Sequence, residues 1–195
     1  MVARAEATNA NGERILAAAR DLFGKQLYDQ VSLDDVAARA EVTVRTVVRR
    51  FGSKEQLFAA VADERALANR RARDATPIGD IPEAIRLLVT SYEDWGDVIL
   101  HMLAQERRTA SIGVRVRAGR RYHQAWVEKT FSPLLTSLPS TNRRLRVAQL
   151  TAVTDVYAWK VLRRDLGLDR AHVEASIKDL IGDIVARPVP GKTKR

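Results

Sequence analysis

Twenty residues, Ser32 to Phe51, constrain the fold more than any other stretch, because their pattern admits two short helices joined by a tight turn. Ser32 is a residue that accepts from the N–H groups opening a helix, and Leu33, Val36 and Ala37 repeat at i, i+3, i+4 as one buried stripe. The first helix of the pair is therefore predicted from Leu33 to about Arg39. Ala40-Glu41-Val42 forms the turn, with Val42 plugging the angle, and Thr43 caps a second helix from Val44 to Phe51. Val47 and Phe51, four residues apart, face inward. Arg45, Thr46, Arg49 and Arg50 are left for the outside. In a helix-turn-helix such a second helix enters the major groove and its N-terminal residues reach base edges.

The surrounding residues extend the pattern. Ile15-Leu16-Ala17-Ala18-Ala19 through Leu22-Phe23 make a first helix, Tyr28 to Val31-Ser32 a loop, and Gly52-Ser53-Lys54-Glu55-Gln56-Leu57-Phe58 a fourth-helix start with the Ser-x-x-Gln signature of a capping box. Residues from about Gly12 to Ala66, in this order, resemble the DNA-binding domain of TetR-family transcriptional regulators. The resemblance implies an all-α fold, with a helix-turn-helix DNA-binding domain over 10–52 and a helical effector-binding and dimerisation domain over 53–187. It also implies a homodimer on a palindromic double-stranded operator, most often as a repressor released by a small-molecule effector. On this reading Arg45 and Thr46 meet base edges, and Arg49, Arg50, Lys54 and the capping N–H groups near Ser32 and Thr43 meet phosphates.

Four positions depart from the family pattern. Glu41 and Leu27 stand where glycine is usual, and both would strain a positive φ if that backbone is kept. Val48 and Arg50 stand where a Tyr and a His commonly contact phosphate. Arg50 replaces one contact with a permanent charge, whereas Val48 cannot donate.

A chain of 195 residues that is 46% apolar supports a sizeable core. It has no cysteine, which excludes disulfides and thiolate metal sites and suits a reducing cytoplasm, the expected location. No apolar run of about eighteen residues occurs, so neither secretion nor membrane spanning is expected. The net charge of +9 is a poor guide to nucleic acid. Residues 1–75 hold thirteen Lys or Arg against eleven Asp or Glu, and residues 76–195 twenty against thirteen. The local pattern says more: from Glu41 to Lys54, four basic residues face a single acid.

Every further element reads as helical. The first helix begins after Asn9 or Asn11 and ends near Lys25; the fourth continues to about Asn69, and a loop runs from Arg70 to Asp80. Pro82 opens a helix to about Tyr92, Trp95 to Glu106 makes another, and Val114 to Phe131 a third. A long helix spans Asn142 to about Leu166 with Leu145, Leu150, Val153, Val156, Tyr157 and Val161 inside and Gly167 as its stop; Asp169 caps a last one to about Ala186, before a basic, frayed tail from Arg187 to Arg195. The last two helices carry more apolar surface than one partner covers. Either it packs within one subunit, or two such hairpins pair about a two-fold axis as a four-helix bundle. The second is favoured, since two reader helices must lie roughly 34–36 Å apart to read a palindrome.

Polar and aromatic groups within apolar helices are the candidates for an effector site: Tyr92, Trp95, His101, Met102, Tyr122, His123, Trp126 and Trp159. Ordinary core packing explains such residues equally well. Arg115, Arg117, Arg120 and Arg121 would attract an acidic effector or simply form a solvated face. The three histidines lack the spacing of a metal site, no serine has a nucleophile-elbow setting, and no glycine-rich phosphate loop occurs, so neither catalysis, metal nor cofactor is expected. Two rival readings remain open: a protein of this fold acting through protein partners with DNA binding lost, and an enzyme using a cavity among the C-terminal helices.

Overall fold

Helices account for the secondary structure of the computed structural model, which describes residues 2–187; the tail expected to fray lies outside the described residues beyond Arg187. The first helix, α1, spans Val2–Lys25, and thus begins ahead of the expected cap at Asn9 or Asn11. Alanines at positions 3, 5, 7 and 10 supply the strongest helix-forming residue through that segment and carry the helix past both asparagines. After a 3₁₀ turn at Tyr28–Gln30 come α2 (Leu33–Arg39) and α3 (Val44–Phe51), at the bounds read from the sequence.

Three long helices follow: α4 (Lys54–Asp74), α5 (Ile81–Gln105) and α6 (Ala110–Thr130). Two of them correct the sequence reading. The arginine-rich run 70–74 is the last turn of α4 rather than a loop, held there because Arg73 is buried. The two helices expected at 82–92 and 95–106 are one continuous α5, whose Gly96 sits against the ring of Trp159. The last elements are a 3₁₀ turn at Ser132–Leu134, α7 (Ser140–Val153), α8 (Val156–Lys160) running into a π-turn at Val161–Asp165, and α9 (Arg170–Ala186).

The long helix expected over 142–166 is therefore broken, at Thr154 and Asp155. The Thr154 hydroxyl donates to the Leu150 carbonyl at 2.7 Å, and the Asp155 carboxylate accepts from the Tyr157 N–H at 3.0 Å, so one residue bends the helix and the next starts another. Gly167, at φ 71°, ends this segment as expected.

Residue contacts divide the chain into two units, Met1–Ala68 with Asp97–Val114 and Asn69–Gly96 with Arg115–Arg195. In the first, Ile15, Ala19 and Phe23 of α1, Val36 of α2, Val47 of α3 and Leu57, Phe58 and Val61 of α4 are buried together as apolar core. The Phe58 ring meets Phe23 edge-on at 4.9 Å and Tyr28 at 5.2 Å, which fixes the turn after α1. In the second, α7 packs on α9 through Val147, Leu150, Val173, Ile177 and Ile181, and Trp159 is wholly buried. Arg146, also buried, donates to the Arg187 carbonyl at 2.7 Å and so satisfies the end of α9. Leu150 and Val156 lie inside as read from the sequence, but Leu145, Tyr157 and Val161 are exposed on the single chain, as is Leu180 of α9.

Candidate nucleic-acid interface

The geometry of the reader helix is set from its two ends. At the start of α2, Ser32 and Asp35 form a reciprocal cap: the Ser32 hydroxyl accepts from the Asp35 N–H at 3.0 Å, and the Asp35 carboxylate accepts from the Ser32 N–H at 2.9 Å. The Ser32 hydroxyl also donates to the Asp35 carboxylate at 2.5 Å, and this bond first, with that from the Ser32 N–H second, holds the Asp35 carboxyl below its usual range. Asp21 bridges α1 to α2 through Arg39 at 2.5 Å.

At the end of α2 the chain closes in a Schellman motif. The Val42 N–H donates to the Ala37 carbonyl at 3.0 Å and the Glu41 N–H to the Ala38 carbonyl at 3.2 Å. This pairing requires a left-handed residue at position 41, and Glu41 adopts φ 54°, the only non-glycine with positive φ among the described residues. The strain read from the sequence is thus present at Glu41. It is absent at Leu27, which lies at φ −63° and ψ 149° because its N–H is received by the Gln30 side chain at 3.1 Å in an ordinary extended conformation. Glu41→Gly should therefore stabilise the protein by about 0.5–1 kcal/mol, since glycine adopts this region without a Cβ clash at the cost of some chain entropy. Denaturant unfolding midpoints of the two proteins check this, and a lower midpoint for the variant contradicts it.

Thr43 caps α3, accepting from the Thr46 N–H at 3.2 Å, and the two threonine hydroxyls lie 3.0 Å apart. Val47 anchors the helix at 1% exposure, so the opposite side is set outward: Arg45, Val48, Arg49 and Arg50 are exposed. Gly52 (φ 81°) ends α3, and its missing Cβ leaves room for the Gln56 side-chain oxygen, which would lie 1.8 Å from it. The Ser53 hydroxyl accepts from the Gln56 N–H at 3.2 Å, starting α4 as the capping signature implied.

The seven predicted DNA-contacting residues fall into three groups. Arg45, Thr46 and Arg49 are presented by α3 itself. Arg50 is exposed but lies along α1, its guanidinium 3.2–3.6 Å from where a Cβ on Gly12 would be, and Lys54 sits over the Tyr28 ring at 4.4 Å. The side chains of Ser32 and Thr43 are engaged as caps, and Asp34 and Asp35 place negative charge in the first turn of α2.

A second cluster lies within the other unit. Of the residues proposed for an effector, Tyr122, His123 and Trp126 meet on α6, with the His123 and Trp126 rings stacked at 5.9 Å. Tyr92 joins through Thr154, donating to its carbonyl at 2.9 Å, and its ring lies 5.9 Å from Trp159, whose Nε1 donates to Glu93 at 2.9 Å. Trp95 is half-buried in the same unit, whereas His101 and Met102 belong to the first unit. At the centre is Arg73, which the sequence reading left in a loop. It is 4% exposed, donates to His123 Nδ1 at 2.9 Å, and stacks over Trp126 at 3.8 Å. An arginine within a run of four charged residues gives no sequence signal of burial.

Comparison with known proteins agrees with this geometry. Residues 15–61 match the family described as bacterial regulatory proteins, tetR family. Over 49 residues the chain is 47% identical to the HTH-type transcriptional repressor Rv3405c of Mycobacterium tuberculosis and, equally, to the HTH-type transcriptional regulator Mb3439c of Mycobacterium bovis. Those matches cover 25% of this chain and 26% of the relative, so the chain spans about a quarter of the length of these curated relatives. Over the whole fold, a transcriptional regulator from Rhodococcus sp. Rha1 superposes with TM-score 0.71 at 18% identity, covering 89% of this chain and 95% of that one. A TerR/AcrR-family regulator from Aquifex aeolicus superposes with TM-score 0.62 at 14% identity, covering 89% and 99%. With the helix-turn-helix geometry and the family match falling on the same residues, the N-terminal domain of this chain belongs to the TetR family of bacterial regulatory proteins.

Proposed function

We propose that the protein is a cytoplasmic, homodimeric transcriptional regulator that binds a palindromic operator and is released from it, as a repressor, by a small-molecule effector. The observation that carries this reading is the outward face of α3, where Arg45 and Arg49 project, with the exposed Arg50 beside them along α1, from a helix anchored by Val47 in a TetR-family domain. Arg45 and Thr46, near the N-terminal end, meet base edges; Arg49, Arg50 and Lys54 meet phosphates, as do the N–H groups beside Thr43. Ser32 acts through the cap that orients α2. Val48, exposed and apolar, offers no donor to a phosphate. The exposed Leu145, Tyr157, Val161 and Leu180 of α7 to α9 support pairing of two hairpins across a two-fold axis.

Coupling needs two states that effector and DNA favour differently. Helix α4 starts three residues after α3 ends and runs on into the second unit, where it carries Arg73. Effector binding there favours a dimer whose reader helices are misspaced for the groove.

The test is selection of bound sequences from a random duplex pool, with a palindrome as the expected product. On the selected operator Arg45→Ala should cost about 1–3 kcal/mol and relax one base position in each half-site, whereas Arg49→Ala should weaken all sequences alike and lower the salt slope by about one. Unchanged binding by Arg45→Ala would remove it from the base-reading role, and absence of any selected sequence would remove the operator.

A further inference from the structure

Arg73 is a buried cation with no direct ion pair, although the charge of the adjacent, exposed Asp74 reaches it through space. Among the described residues no carboxylate lies within ion-pair distance of it, and one hydrogen bond, to the neutral His123 ring, uses one of the five N–H groups of its guanidinium. Its Nε has no partner, and neither does the buried hydroxyl of Thr76 three residues on. Asp74, the next residue, is exposed and accepts from the Tyr122 hydroxyl at 3.2 Å. Aromatic rings bound the guanidinium: Trp126 at 3.8 Å and Tyr122 at 5.5 Å. An arginine keeps its charge at neutral pH, and isolating that charge from water is costly unless an anion pairs with it. A planar fork whose Nε–H is unused, walled by aromatic faces, is matched by a planar carboxylate attached to an apolar body.

We infer that Arg73 is the anchor for the carboxylate of an effector, with Trp126 and Tyr122 receiving the apolar part, so that the regulatory ligand belongs to the class of small organic acids. This rests on the proposed function only in calling the ligand an effector; the acid-binding site stands or falls by itself. The full-length protein is titrated calorimetrically with acetate, phenylacetate and hexanoate, each against its neutral primary amide, at fixed ionic strength and without DNA. At least one acid should bind tenfold or more tightly than its amide, and Arg73→Met should abolish the difference while keeping the helical circular dichroism. Arg73→Lys, which keeps the charge but loses the fork, should retain binding weakened several-fold, and it decides the matter should the Met variant not fold. Equal binding of acid and amide, no binding of any of the three acids, or a preference that survives in Arg73→Met overturns the assignment. A separate arm adds the bound acid to the protein on its selected operator. Acid binding without loss of DNA affinity leaves the site in place and sinks effector release; loss of the acid preference with DNA binding intact does the reverse.

Discussion

Gly96→Ala should destabilise the protein by about 1–3 kcal/mol, the opposite of what the same exchange does in an ordinary helix. Glycine inside a helix is about 1 kcal/mol less favourable than alanine, so propensity alone predicts a gain in the middle of α5. Packing reverses the sign. A Cβ at position 96 would lie 2.5 Å and 2.7 Å from ring carbons of Trp159, far inside contact distance. The ring cannot swing away cheaply, because it is completely buried and its Nε1 is held by Glu93, which Arg163 also grips at 2.9 Å. Burial opposes ionisation of that carboxylate, but the bonds from Trp159 and Arg163 and the nearby positive charges prevail and keep its pKa low. Gly119→Ala in α6 is the internal control, since nothing lies within 4 Å of its added Cβ and it should gain about 1 kcal/mol. Denaturant unfolding of the two variants beside the parent protein checks both signs; a gain at both positions would show that Trp159 does not hold α5 in the way described.

Acid should loosen this protein through His123. Burial first, and the Arg73 charge second, push the His123 imidazole down to about 3 from an ordinary value near 6.5. The hydrogen bonds explain the preference for the neutral ring. Nδ1 accepts from Arg73, and Nε2 donates at 3.1 Å to the Thr154 hydroxyl, whose own proton goes to the Leu150 carbonyl. A second ring proton would point at the guanidinium. Because the folded value is depressed, the unfolded chain binds more protons between about pH 6.5 and 3. Stability is therefore full above about 6.5 and falls as the pH is lowered through this window, by up to about 1.4 kcal/mol per pH unit. His123→Asn should flatten the slope between pH 6.5 and 5, whatever it does to absolute stability. Unfolding free energies measured at half-unit steps for both proteins are the check, and parallel slopes would exclude His123 as the source.

The helix-turn-helix was legible because its determinants are local. Ser32 and Thr43 cap within three residues, Val36, Ala37 and Val47 repeat at the helical period, and the outward arginines follow from the inward valine. The strain at Glu41 was readable only through the family resemblance, which has glycine there, and the same reasoning failed at Leu27. The errors lie where a distant partner overrides a local signal. The break expected between Tyr92 and Trp95 closes because α5 runs on through Gly96, beside the ring of Trp159 sixty-three positions further along. The sequence from Asn142 to Leu166 reads as one helix until the Thr154 hydroxyl turns back to Leu150 with His123 against it.

The sequence by itself determined the all-helical class, the reader helix and its charged face, because capping, period and turn geometry act over three or four residues. The tertiary structure alone decided that Arg73 leaves the solvent to stand on Trp126 beside His123. Whether an arginine is buried depends on what folds over it, and the residues that do so here stand fifty and more positions away along the chain.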